Sequence, residues 1–220
     1  HPLRRVNQRQ MRPGKPGTVV HTDIDGALLA AGRDKLLDQG IVLQSLPNRD
    51  HWNAIDPAIV EDDEGNAWMS FGSFWEGIKL VKLDPDLVRL AEPQEWHSLA
   101  KRPRNPLAAD ASAGDGAIEA PYIFKKDGWY YLFVSFDKCC RGMDSDYKIM
   151  VGRSQSVTGP YIDKDGKAML EGGGSLVLAG TGDWVALGHN AAYTFDGQDF
   201  LVFRRAHVEV RRRCAFPAEV

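Results

Sequence analysis

Three side chains able to handle protons stand at the head of similar stretches. Asp56 opens Asp56-Pro57-Ala58-Ile59-Val60, Glu119 opens Glu119-Ala120-Pro121-Tyr122-Ile123-Phe124, and His189 opens His189-Asn190-Ala191-Ala192-Tyr193-Thr194. Two carboxyl groups are what glycosidic cleavage requires: one protonates the leaving oxygen, the other activates water or attacks carbon. A glutamic acid beside a second carboxylate keeps its proton to higher pH. The same residues have plainer readings. Asp56 reads as a turn cap before Pro57, Glu119 as a surface strand start, and His189 as a satisfied polar group, a metal ligand or a substrate contact. Residue type alone leaves these open.

The elements that must position them are strand, tight turn, strand. The turns are Glu61 to Gly65, Lys125 to Gly128 and Phe195 to Gly197, and the return strands are 67–71, 129–133 and 200–203. The units recur every ~60–70 residues, the signature of small sheets arrayed around an axis. The first strand of each unit then lies nearest the axis, so Asp56, Glu119 and His189 meet in one pocket. Further strands are expected at 40–46, 77–83, within 87–99, at 147–153 and at 175–179. Lys101 to Gly116 reads as a long loop.

The ends read differently. Residues 1–39 are expected to be poorly ordered or partly helical, with helix-forming composition at 27–39 and a short strand at Val19-Val20-His21. Residues 40–203 form the blades. Residues 204–220 read as a basic tail without convincing alternation.

With 220 residues, 43% hydrophobic and 26% charged, the chain is long enough for one all-β domain with a proper core. A net charge of −3 argues against a nucleic-acid binder. The sequence contains neither an apolar run of membrane-crossing length nor a visible signal peptide. Cys139 and Cys140 are neighbours, read as two small thiols beside a loop, and a structural zinc pattern is absent. Phe74 and Trp75 lie between two strands of the first unit, as a sugar platform or as packing between blades. Arg141 is available to a sugar hydroxyl or an acidic neighbour.

Five motifs occur in order: Asn53-Ala54-Ile55-Asp56-Pro57, Gly72-Ser73-Phe74-Trp75-Glu76-Gly77-Ile78, Ala117-Ile118-Glu119-Ala120-Pro121, Cys139-Cys140-Arg141-Gly142 and Gly188-His189-Asn190. Together they resemble the endo-α-1,5-L-arabinanases of glycoside hydrolase family 43, over roughly residues 40–203. The resemblance implies a five-bladed β-propeller, here a partial one of about three to four blades, and an inverting mechanism on α-1,5-linked L-arabinan. It implies Glu119 as general acid and Asp56 as the residue that tunes and orients it. It implies a sugar-lining role for Asn53, Ala54, Ile55, Asp56, Ser73, Phe74 and Trp75. It implies His189 as a ligand near an axial ion, commonly calcium, held largely through water. It also implies a secreted or periplasmic monomer whose partner is arabinan or an arabino-oligosaccharide.

The chain departs from the family pattern in one important place. The family's general base is an Asp in a His-Asp-Pro type motif, which this sequence lacks. His21-Thr22-Asp23-Ile24-Asp25 is the nearest string, and the role is not transferred to it. The first blade and much of the second read as missing or replaced, and the closing blade after Phe203 reads as missing. Weak or absent hydrolysis is the expectation, because general-base help is worth ~10²–10⁴ in rate. The rival readings are a non-catalytic arabinan-binding remnant, an exo-acting arabinofuranosidase or xylosidase, and a defective fragment without stable function.

Overall fold

The structure, a computed structural model, describes residues 40–107, 115–182 and 184–205, together with backbone strand at 6–9, 18–23, 38–39 and 206. Among these residues the strands form four antiparallel sheets. The first holds β1 (Val6–Arg9), β2 (Thr18–Asp23) and β3 (Asp38–Ser45). The second runs β4 (Ala58–Glu61), β5 (Ala67–Phe71), β6 (Ile78–Lys82), β7 (Trp96–Ala100). The third runs β8 (Ile118–Lys126), β9 (Trp129–Phe136), β10 (Lys148–Ser154), β11 (Ser175–Ala179). The fourth pairs β12 (Val185–Phe195) with β13 (Gln198–Ala206). This is an all-β, partial propeller architecture.

The hairpins follow from their turn residues. Asp127-Gly128 and Asp196-Gly197 both take positive φ, 50° and 76° in the first, 48° and 74° in the second. That is the type I′ pattern whose twist matches paired strands. The acidic turn of the first unit is organised by one carboxylate. Asp62 accepts from the backbone N–H of Glu64 (2.9 Å) and Asn66 (2.8 Å) and from the indole N–H of Trp68 (2.8 Å).

The second sheet is buried on both faces, as a blade between two neighbours must be. Alternate residues go opposite ways. Trp68, Ile78 and Leu80 join a core with Ile118, Ile123, Leu132 and Val134 of the third sheet. Met69, Phe71 and Val81 join Leu43 of β3 and Ala54. Burying each such large apolar side chain contributes about 1.5–3 kcal/mol, so the sheets stack face to face and hold their inner strands in register.

The ends differ from the sequence expectation. Strands β1, β2 and the start of β3 occupy part of the segment expected to be poorly ordered or helical. The expected short strand at 19–21 falls within β2, and the backbone pairs Val6–Arg9 and Thr18–Asp23 where no strand-turn-strand unit was anticipated. The helix-forming stretch lies mostly in 24–37, outside the described residues. At the other end β13 continues to Ala206, carrying Arg204 and Arg205 inside the strand instead of in a tail. Alternation is a weak signal there, because register, not side-chain polarity, sets this strand's length.

Candidate active site

Each proton-handling residue sits at a local irregularity. Asp56 (φ 53°) and His189 (φ 51°) lie in the left-handed region that L-residues seldom adopt, as does Ala120 (φ 53°) beside Glu119. The β8–β9 register shifts between Glu119 and Tyr122, and β12–β13 shifts between Gly188 and Ala191. Bulges of this kind re-aim side chains beside functional sites. Strain of about 1–3 kcal/mol per residue is tolerated where packing over-determines the chain. Here the same device recurs at the inner strands of three sheets, turning Asp56, Glu119 and His189 toward one another.

Their mutual geometry is specific. The Tyr147 hydroxyl donates to Glu119 Oε1 at 2.7 Å. The backbone N–H of His189 donates to Ser135 Oγ at 2.8 Å, and His189 Nε2 stands 3.9 Å from Asp56 Oδ1. Ser135 on β9 is fully buried and also hydrogen-bonds Tyr147. One serine thus ties the strand carrying His189 to the tyrosine that grips Glu119. Asp56 is 8% exposed, so its charge acts through a poorly screened medium.

The surroundings favour the protonated form of Glu119. Burial pushes its pKa above the ordinary carboxylate value, the Tyr147 hydrogen bond opposes this, and the Asp56 charge reinforces it. Burial, then the Glu119 charge, also push the Tyr147 phenol up, so it stays a donor. Because Tyr147 occupies Oε1, the transferable proton belongs on Oε2.

A small pocket with a cavity volume of about 50 Å³ opens at this point, lined by Glu119, Cys139, Cys140, Tyr147, Ala186, His189 and Arg204. Cys139 Sγ lies 2.6 Å from Cys140 Sγ, and burial, Cys140 and the Glu119 charge push the Cys139 thiol up to about 12. Gly188 is sterically required: a Cβ there would stand 2.1 Å from Tyr147 Cδ1 and Cε1.

The expected sugar-lining residues are placed unevenly. Ala54, Ile55 and Ser73 are buried. Asn53 is held between Ser45 and Ser73, at 3.4 and 2.9 Å. These residues brace the turn that carries Asp56 and do not line the Glu119 pocket. Phe74 and Trp75 are half-buried, with ring centroids 6.5 Å apart, on a loop stapled to the residue before Glu119 by Phe74 N–H to Ile118 O at 2.7 Å. They stand outside that pocket. Arg141 takes its acidic neighbour, Asp146, at 2.7 Å.

Calcium prefers six to eight oxygen ligands. His189 supplies a single imidazole nitrogen, and no three His, Cys, Asp or Glu side chains converge on a metal position among the described residues. They do not form a calcium cage.

The sequence reading missed Tyr147, Ser135 and Arg204. In the sequence Tyr147 reads only as a strand start, and Ser135 lies beyond the strand expected at 129–133, whereas β9 extends to Phe136. Their link to Glu119 and His189 crosses 28 and 54 residues, beyond any local pattern.

The chain is similar to several known proteins. The chain is 55% identical over 190 residues to an extracellular exo-α-(1→5)-L-arabinofuranosidase of Cellvibrio japonicus, covering 86% of this chain and 55% of the relative. It is 48% identical over 147 residues to an extracellular endo-α-(1→5)-L-arabinanase of Bacillus subtilis, covering 67% and 42%. The chain therefore spans about half the length of these curated relatives. The solved structure of Cellvibrio cellulosa α-L-arabinanase complexed with arabinohexaose superposes with a TM-score of 0.82 at 53% identity, covering 86% of this chain and 60% of that one. A family model described as Glycosyl hydrolases family 43 matches residues 38–216. With that match over most of its length, the chain belongs to glycosyl hydrolase family 43.

Proposed function

We propose that this pocket acts on α-1,5-linked L-arabinan, with Glu119 as the general acid of an inverting hydrolysis. The observation that carries the reading is the buried Glu119, gripped on one oxygen by Tyr147, with its pKa raised by burial and by the Asp56 charge. Glu119 Oε2–H donates to the glycosidic oxygen as the bond from the anomeric carbon to that oxygen breaks. Asp56 stays close, its charge delaying loss of the proton and its contact with His189 holding the geometry. Water must attack from the opposite face, and the base that would activate it is not assigned to any residue here. The expected rate is therefore lower than that of an intact acid–base pair by roughly 10²–10⁴-fold.

The names of the relatives support this substrate, and they divide between exo- and endo-acting enzymes. The exo mode is accordingly the second reading, and chain-end products from an arabino-oligosaccharide distinguish it from internal cleavage. Both names carry the word extracellular, which supports export of this protein too. An axial calcium remains part of the proposal only as a water-held ion touching His189, and no step depends on it. We further take the protein to act as a monomer.

The test is reducing-sugar release from debranched arabinan by the wild type and Glu119→Gln in parallel. Slow release confined to the wild type supports the proposal. Equal release by both removes Glu119 from the acid role. A folded wild type that neither binds nor cleaves arabinan overturns the substrate assignment.

A further inference from the structure

One cation lies in the pocket, Arg204, whose charge lowers the Glu119 pKa against the effect of burial. Arg204 on β13 faces Gly188 on β12 in the antiparallel register. Side chains of directly opposed residues project to the same face. The face of Gly188 where a Cβ would stand is filled by the Tyr147 ring. Arg204 therefore reaches across a position without a side chain into the pocket it lines together with Glu119 and His189.

Three other basic groups in this region are engaged. Arg141 pairs with Asp146 at 2.7 Å and Lys148 with Asp137 at 2.5 Å. Arg205, next along the strand, stacks on Trp184 at 4.4 Å. Arg204 is exposed, and no carboxylate pairs with it among the described residues. Burial favours the neutral form of the Glu119 carboxyl beside it, and Asp56 faces His189. An entering anion meets a guanidinium and an imidazole.

We propose that Arg204 makes this pocket a binding site for a carboxylate-bearing sugar, a uronate, whose carboxylate takes the guanidinium fork while its ring lies against Glu119. The inference rests on the sugar-cleaving reading of the same pocket. A planar guanidinium matches a carboxylate bidentately, whereas a neutral arabinosyl unit offers only hydroxyls.

The experiment is calorimetric titration of the whole chain with methyl α-D-galacturonoside, methyl α-L-arabinofuranoside and sodium acetate, in the wild type, Arg204→Gln, Arg204→Lys and Arg205→Gln. The uronoside is expected to bind more tightly than the arabinoside, and to weaken as salt rises. Arg204→Gln is expected to lower the uronoside-to-arabinoside affinity ratio by about tenfold, the scale of a charge-assisted hydrogen bond. Arg204→Lys is expected to keep part of the preference. Arg205→Gln makes the same charge change at the residue stacked on Trp184 and is expected to leave the ratio unchanged. An unchanged ratio in Arg204→Gln, or a uronoside no tighter than the arabinoside, overturns the proposal. Acetate binding as tightly as the uronoside also overturns it, in favour of a plain carboxylate site. Loss of the uronoside preference with arabinoside binding intact leaves the cleavage reading standing. Failure of both sugars to bind a folded wild type removes both.

Discussion

Gly188→Ala tests the physical linkage of the site most directly. The new methyl carbon would lie 2.1 Å from Tyr147 Cδ1 and Cε1 and 3.0 Å from Ser135 Oγ. Carbon atoms rest at about 3.5–4.0 Å, so the ring must retreat by roughly 1.5 Å or the strand must yield. Either movement breaks the 2.7 Å hydrogen bond to Glu119 or the 2.8 Å bond from His189 N–H to Ser135. Overpacking of this kind costs about 1–3 kcal/mol. For a domain of this size that lowers Tm by roughly 2–12 °C. Misplacing the acid by about 1 Å costs arabinan turnover on the order of 10²-fold. The assay is a double-mutant cycle with Tyr147→Ala, read by thermal unfolding. Removing the ring opens the space the methyl needs, so the two changes must couple by more than about 0.5 kcal/mol. Additive losses, or a Gly188→Ala protein with wild-type Tm, would refute the account of Gly188 as the residue that seats Tyr147.

Other expectations follow from the same site. Tyr147→Phe removes a hydrogen bond that lowers the Glu119 pKa, so the alkaline limb of the pH–rate profile should move to higher pH; movement the other way contradicts the assigned donor. Glu119→Gln should abolish turnover yet raise Tm at neutral pH. The folded pKa of Glu119 lies above its unfolded value, so the stability it lends is complete below the unfolded pKa and is lost as pH rises through the folded one. The gap between variant and wild type should widen over that window, and a gap that narrows would refute the shift. Asp137 shows the opposite sign. Burial raises its pKa, but hydrogen bonds from Lys148 and Arg102 outweigh this and hold it below the ordinary range. Its stabilisation is present above the unfolded pKa and is lost as pH falls through the folded one. Asp137→Asn should therefore cost most at neutral pH and little in acid, as pH-dependent unfolding would reveal. Alkylation with iodoacetamide at mildly alkaline pH should spare Cys139, whose thiol is pushed up to about 12, and mass mapping checks this.

Much of the fold was legible because its signals are local. Asp127-Gly128 and Asp196-Gly197 suit the positive φ of tight hairpin turns, and period-2 alternation around them declares strands. The units could therefore be placed; Glu119 and His189 line one pocket, while Asp56, expected there too, stands behind His189 at 3.9 Å and outside that lining. The aromatic pair illustrates the limit. Phe74 and Trp75 look like a sugar platform in sequence, but backbone pairing to Ile118 holds their loop beside the Glu119 pocket and not in its lining. The two ends show another limit. The strands there are recruited by neighbouring strands, as with Val6–Arg9 against β2 and Arg204 against Gly188. Pairing partners contribute hydrogen bonds that composition does not record.

The sequence by itself determined the all-β class, the hairpin turns and the identity of the carboxylates and histidine, because each depends on residues a few positions apart. Only the tertiary structure decided the acidity of Glu119, since the buried surroundings and the Asp56 charge that raise its pKa, and the Tyr147 hydrogen bond that lowers it, converge from distant parts of the chain. It also decided that Arg204 belongs to the pocket and that Gly188 must lack a side chain. Both follow from where two strands and a tyrosine ring meet in space, a distance along which the chain carries no local signal.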